Sequence, residues 1–306
     1  MSTLAAHPVL AVTIVSGAVA GGTSILYAGL GETVSERAGV INIGTEGTML
    51  VGALGSFAVA ASLGNAWLGV LAGAAAGAAL AAVHGYLVVY RGASQLATGL
   101  AVMFLALGIT ALYGTGYVSS SITGITSYRV PLLGHIPYLG DMLFDHDPLT
   151  YLSFAAVPAV YWLLMRTRWG LLLRTAGERP EVLRAYGKSP ELVRMLATVA
   201  GGALAGIGGA QLSTVLTLTW ADDMTAGRGF VAVALVVFAG WNPIKVMGGA
   251  YLFGAAITLG SVLQVEGIAV NEFLLDALPY LLTLAVLVVM SGRRAQSAPE
   301  AIGQPL

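Results

Sequence analysis

Between two long apolar runs the chain reads GETVSERAGVINIGTEG, residues 31–47, which brings Glu32, Glu36, Arg37 and Glu46 together in a setting rich in glycine and free of proline. Ionised side chains left in hydrocarbon cost ~2.5–3.5 kcal/mol each or more. Glu32, Glu36 and Arg37 escape that cost if they sit at a membrane interface. Asn42 and Glu46 are harder to place, because they open the next apolar run. Asn42 or Thr45 could cap the helix that begins there. A buried Glu46 makes sense if it pairs with Arg37 or lines a wet path.

Other chemistries are absent from the sequence. There is no G-x-x-x-x-G-K-[ST] loop for nucleotide phosphates and no H-E-x-x-H. His7, His84, His135 and His146 are scattered, and the chain has no cysteine, which removes disulfides, thiolate metal sites and thiol catalysis. His84 falls in an apolar run, where an imidazole bonded to a neighbouring helix is the expected arrangement. No Ser/His/Asp grouping stands out. We therefore assign no catalytic residue, no metal ligand and no cofactor to this chain, and expect no enzyme activity from it.

Three more segments invite a reading. In GLLLRTAGERPEVLRAYGKSPELVRM, residues 170–195, Pro180 suits a first helical turn that needs no N–H donor. Glu178 and Glu181 near that start favour the helix dipole, with Arg184 near the end. Gly187 can end the helix in a left-handed conformation. The expected product is a helix of one to two turns, with Val182, Leu183 and Tyr186 forming an apolar side. So short a helix is marginal alone, which leaves an ordinary basic loop or a docking helix for a cytoplasmic subunit. In TWADDMTAGRGFVAVALVVFAGWNP, residues 219–243, Asp222, Asp223 and Arg228 precede a short apolar run bracketed by Trp220 and Trp241. A helix starting at Gly227–Arg228 would aim its dipole into the protein, although a solvated outer loop explains the acids equally well. Gly69, Gly73, Gly77, Ala81 and Gly85 recur at four-residue intervals, a stripe that lets helix backbones approach closely.

The elements that must hold these residues are membrane helices. The chain has 306 residues, of which 57% are hydrophobic and 9% charged, against about 25% charged in soluble domains. Its mean hydropathy is +0.83. Apolar runs of near-spanning length lie at 9–30, 43–63, 66–89, 95–114, 149–165, 195–216, 229–241, 246–264 and 273–291. The seventh is short, and it and the second abut polar, glycine-containing stretches, so broken helices are expected at both. Taking the basic segment 166–194 as cytoplasmic puts twelve of the fourteen Lys and Arg residues on that side. The N-terminus is then outside and the C-terminus inside. No basic n-region of a signal peptide precedes the first span. The segment GNAWLGVLAGAAAGAAL (64–80) echoes WNPIKVMGGAYLFGAAI (241–257), each about forty residues beyond a Gly-Gly pair, in units of opposite orientation. Such an inverted repeat suits transport folds, although two Gly/Ala-rich spans can also align by chance. One transmembrane domain is expected over 1–292, with an outer loop at 115–148, a cytoplasmic loop at 166–194 and a polar, disordered cytoplasmic tail at 293–306.

Taken together, LGETVSERAGVINIGTEGTMLVGA (30–53), GLAVMFLALGIT (99–110), TAGERPEVLRAYG (175–187), TAGRGFVAVALVVFAGWNP (225–243) and LPYLLTLAVLVV (278–289) resemble the permease subunits of bacterial ABC importers. The group concerned serves simple sugars, nucleosides and branched-chain amino acids, and the nearest branch is the nucleoside/simple-sugar one. The likeness covers roughly 10–290, and its first and fourth segments are the specific ones. Family members commonly carry Asn where this chain has Met103, which leaves the ligand open. The resemblance implies an all-α polytopic membrane protein of about nine transmembrane helices, a vitamin B12 importer-like (type II) permease with inverted repeats and broken helices. It implies a second, non-identical permease, a cytoplasmic ABC ATPase that holds ATP and Mg, and an extracytoplasmic substrate-binding lipoprotein, in the bacterial inner membrane and without nucleic acid. It places ATPase coupling on Glu178, Arg179, Pro180, Glu181, Leu183, Arg184, Tyr186 and Gly187. For a nucleoside, with purine nucleosides favoured, Asn42, Thr45, Glu46, Thr98 and Met103 would offer polar partners and a Met surface along the path. The alternatives are a sugar such as ribose or another heterocycle, and, from a different class, a carrier or channel working alone. An inner docking helix favours the importer over the lone carrier.

Overall fold

The computed structural model describes residues 3–265, Ala277, Leu281 and 298–302. The first helix, α1 (Thr3–Arg37), runs far past the expected span and ends where Gly39 turns left-handed at φ +92°, a conformation that suits glycine. Next come α2 (Thr45–Leu63), stopped by left-handed Gly64, and α3 (Ala66–Gly85), whose N-terminus is capped by the Asn65 side chain at 3.0 and 3.2 Å from the Trp67 and Leu68 amides. A π-turn over Tyr86–Tyr90 leads to α4 (Gln95–Gly114).

The outer segment 115–148 holds a two-residue antiparallel ladder, β1 (Tyr128–Arg129) on β2 (Asp145–His146), and a one-turn helix α5 (Leu139–Leu143). The ladder departs from a purely helical expectation. Arg129 ties it to α5 through Asp141 at 2.6 Å. Asp147 then caps α6 (Pro148–Arg166), accepting from the Thr150 amide at 3.0 Å. The inner segment contains α7 (Arg168–Glu178) and the short α8 (Pro180–Ala185), followed by α9 (Pro190–Gln211), which continues as a π-turn over Leu212–Leu216. The last described helices are α10 (Arg228–Phe238) and α11 (Pro243–Val265).

Among the described residues, seven helices are long and apolar enough to cross a membrane, and α10 is a shorter apolar helix. Of the nine expected spans, the first eight correspond, among the described residues, to these seven long helices and the short α10. At 11 residues, α10 is about 16 Å long, half the ~30 Å hydrocarbon core. The ninth span, 273–291, lies outside the described residues, as does most of the closing motif 278–289.

Backbone proximity sets the packing. Each long helix carrying a Gly-Gly pair meets a glycine-bearing partner from the other half of the chain. A methyl on Gly22 of α1 would lie 2.6 Å from the Ala250 carbonyl of α11, and one on Gly77 of α3 would meet the Gly202 carbonyl of α9. The glycine stripe of α3 is thus a packing seam against α2 and α9, as its spacing suggests. The main core runs between α1, α6, α9, α10 and α11 through Ile25, Leu26, Leu164, Leu212, Val236 and Val246.

Candidate functional site

The acids of residues 31–47 turn out to be clasps for helix ends. Glu32 and Glu36 lie one turn apart on α1, and both are buried. Glu32 accepts the Asn42 amide at 2.7 Å and the Thr45 hydroxyl at 3.0 Å. The start of α2 is therefore held by a carboxylate from the preceding helix. Gly44, at the N-cap, has no side chain to do so, and Thr45 donates a second, 2.7 Å bond to the Asn42 carbonyl. The connecting loop is fixed from other sides as well. Gln95 on α4 accepts the Ile41 amide at 2.8 Å and donates to the Gly39 carbonyl at 3.1 Å. His84 on α3 lies 3.0 Å from the Ile41 carbonyl, so its imidazole bonds this loop rather than the neighbouring helix that was expected.

Glu46 does the same for α10. Its Oε1 accepts the Thr225 hydroxyl at 2.5 Å and the Gly227 amide at 2.9 Å, while its Oε2 accepts the Gly229 amide at 2.6 Å. Helix N-termini expose unbonded amides and carry partial positive charge, so a buried carboxylate is at home there. The expected pairing with Arg37 does not occur, because Glu46 is occupied by α10 and the Arg37 guanidinium reaches the Gly240 and Trp241 carbonyls at 3.3 and 3.5 Å. Beyond the far end of α10, the Trp241 indole donates to Glu36 at 2.5 Å, and the Arg37 guanidinium lies 5.9 Å from the Trp241 ring centre. The half-length helix is thus pinned near both ends by residues of the 31–47 segment.

This arrangement fixes the depth of α10. Trp220 packs on Leu50, Leu54 and Phe57, well along α2, whereas Thr225 has descended to Glu46 in the first turn of that helix. Residues 221–227 cover this drop without helix, with Asp223, Ala226 and Gly227 at positive φ. Asp222 and Asp223 are exposed on that segment. As the dipole argument expects, the helix begins at Gly227–Arg228 and points its N-terminus into the protein.

Of the five path candidates, Asn42, Thr45 and Glu46 lie at the start of α2, and Thr98 and Met103 lie on the helix packed against it. Four are buried and Met103 is partly exposed. Gly44 and Gly99, and Gly47 and Met103, are the close approaches of this α2–α4 seam. The Asn42 Oδ1 is buried and accepts no hydrogen bond within the described residues.

On the inner face, Arg179 and Pro180 open α8, and Gly187 beyond it is left-handed at φ +67°. The expected apolar side splits in two. Leu183 is buried in the core, whereas Tyr186 is 80% exposed and Val182 is at the surface. Arg184 turns back to Glu191 at 2.6 Å. Arg194, read from the sequence only as inner-side charge, is almost fully buried and donates to the Ala176 carbonyl through Nε (3.3 Å) and a terminal nitrogen (3.0 Å). Gln95, Thr225 and Arg194 are structural partners that sequence reading missed. For Gln95 the clue was a polar residue at a helix end beside an apolar run; Thr225 and Arg194 carried no such local signal.

Comparison with known proteins adds an independent line. Residues 13–291 match the family described as branched-chain amino acid transport system / permease component. The chain is 40% identical over 296 residues, 90% of each chain, to TsgC13 of Haloferax volcanii, provisionally named a glucose ABC transporter permease protein. It is 33% identical over 92% of each chain to the guanosine ABC transporter permease protein NupQ of Bacillus subtilis. To the nucleoside ABC transporter permease protein NupC of Lactococcus lactis the identity is 32%, again over 92% of each chain.

Proposed function

The chain belongs to the branched-chain amino acid transport system / permease component family and is an ABC transporter permease subunit; from that premise we propose that it imports nucleosides, purine nucleosides first. It is a multi-pass membrane protein and a transport component, and ATP hydrolysis lies on partner subunits. The observation that carries the cargo reading is the likeness, over nearly the whole chain, to permeases named for guanosine and nucleosides. A simple sugar is the second reading, favoured by the relative named for glucose.

The proposed assembly has two non-identical permeases, ABC ATPases below and a substrate-binding lipoprotein above, with the N-terminus outside and the C-terminus in the cytoplasm. The exchange of glycine seams between the two halves, α1 on α11 and α3 on α9, supports a type II permease with inverted repeats, in which α10 is a broken helix. In this reading the solute passes the α2–α4 seam. Asn42 and Met103 meet it, and Thr45, Glu46 and Thr98 hold the frame around them. The exposed Tyr186, with Glu178, Arg179, Pro180, Glu181, Arg184 and Gly187, forms the ATPase-facing surface around α8, anchored by buried Leu183.

Reconstituting the complete transporter in liposomes and measuring ATP-driven uptake of labelled guanosine, ribose and glucose tests this reading. Guanosine uptake that unlabelled nucleosides suppress and sugars do not is the expected result. Uptake of sugar alone would move the assignment to the second reading, and solute movement without any ATPase would end the importer reading.

A further inference from the structure

The end of α7, from which α8 departs, is a junction of four separate parts of the chain. A helix leaves its last carbonyls without intrahelical partners, and here two of them are taken by distant residues. The Ala176 carbonyl accepts the Arg194 guanidinium of α9, and the next carbonyl, that of Gly177, accepts the Ala301 amide at 2.9 Å. A methyl on Gly177 would meet the Arg37 carbonyl at the end of α1, so this helix end also lies directly on the arginine that reaches Gly240 and Trp241 beyond α10.

The C-terminal contribution is compact. Residues 299–302 close a turn through the Ile302 amide and the Pro299 carbonyl at 3.0 Å. Ala301 is 6% exposed, and Ile302 packs against the main core cluster. The Glu300 amide donates to the Glu178 carboxylate at 3.3 Å, while an exposed 3.8 Å pair joins the Glu300 side chain to Arg179. Residues 298–302, within the stretch expected to be a polar tail, lie against the two residues that precede Pro180.

We propose that this C-terminal turn, through Ala301 and Ile302, is a positioning element for energy coupling. It holds the α7–α8 corner so that force arriving at α8 is passed through Gly177 to the end of α1 and on to α10. The proposal rests on the reading of α8 as the ATPase contact. It acts through backbone and packing contacts, and the exposed Arg179–Glu300 pair adds little, since such pairs contribute ~0–1 kcal/mol.

The test uses the complete transporter in liposomes, with ATP hydrolysis and uptake measured together. A chain ending at Ser297 and the variant Ile302→Asp should hydrolyse ATP but carry roughly tenfold less solute per ATP, a loss equivalent to about 1.4 kcal/mol of coupling. Ile302→Leu should restore the ratio. An unchanged ratio in the truncated chain overturns the proposal. Because the chain has no cysteine, the pair Glu178→Cys and Glu300→Cys gives a second readout in intact membranes. Crosslinking of the two positions supports the docked turn and its absence overturns it, whatever α8 contacts. If the truncated chain fails to assemble, this crosslink together with the Ile302→Asp and Ile302→Leu ratios decides the matter.

Discussion

Glu46 and Gly229 are separated by 183 residues in sequence, yet the carboxylate of one accepts the amide of the other at 2.6 Å. With the bonds to Thr225 and Gly227, this contact makes the first turn of α2 the cap of α10. Glu46→Gln would replace one acceptor oxygen by a donor facing backbone N–H groups. A buried unsatisfied donor costs about 1–3 kcal/mol, and more where charge is involved. The thermal midpoint of the purified protein in detergent should fall, as followed by tryptophan fluorescence. An unchanged midpoint would mean that α10 does not depend on this clasp.

Trp241→Phe keeps the ring and removes the N–H that Glu36 accepts. Its expected destabilisation is about 0.5–3 kcal/mol. Combining it with Glu36→Leu, which leaves no acceptor for that N–H, should cost less than the sum of the two single changes, since both remove one bond. Strict additivity in chemical unfolding would show that the two side chains act independently.

The glycine seams predict a position-dependent response. Gly77→Val forces a side chain into the Gly202 carbonyl and should cost about 1–3 kcal/mol or more, the usual penalty for overpacking. Gly108→Val enters open space on α4 and should leave the melting temperature where it was. Equal loss at both sites, read by thermal denaturation, would contradict the seam.

Tyr186→Ala alters a side chain that is 80% exposed, so stability should stay within about 0.5 kcal/mol of the parent. Under the proposed function, ATP-driven uptake should nevertheless fall by roughly tenfold, about 1.4 kcal/mol. Full uptake alongside unchanged stability would remove Tyr186 from the ATPase contact.

Much of this architecture could be read along the chain because the signals were local. Apolar runs of spanning length placed seven helices, Pro180 and Gly187 bounded α8, and four-residue glycine spacing marked the α3 seam. The partners of Glu32, Glu36 and Glu46 could not be read in the same way. Local rules offered Asn42 or Thr45 as the cap of α2 and Arg37 as the mate of Glu46. The fold instead supplied a carboxylate from the preceding helix and a helix N-terminus from the other half of the chain. Arg194 was misjudged for the same reason. Side counting reads Arg194 simply as inner-face charge, and nothing in the neighbouring sequence reveals a guanidinium folded under the end of α7. The contacts of 298–302 likewise lie on surfaces over a hundred residues away, which a polar composition does not disclose.

The bare peptide stretch that descends beside α2 to Glu46 has a consequence for where this protein can live. Hydrocarbon offers nothing to peptide groups outside a helix or closed barrel, so such a stretch persists only against other protein or water. Exposed Asp222, Asp223 and Ala226 mark the flank on which a solitary copy dissolved in lipid would be unsealed. Under the proposed function, that flank is the one turned to the second permease or to water between the two.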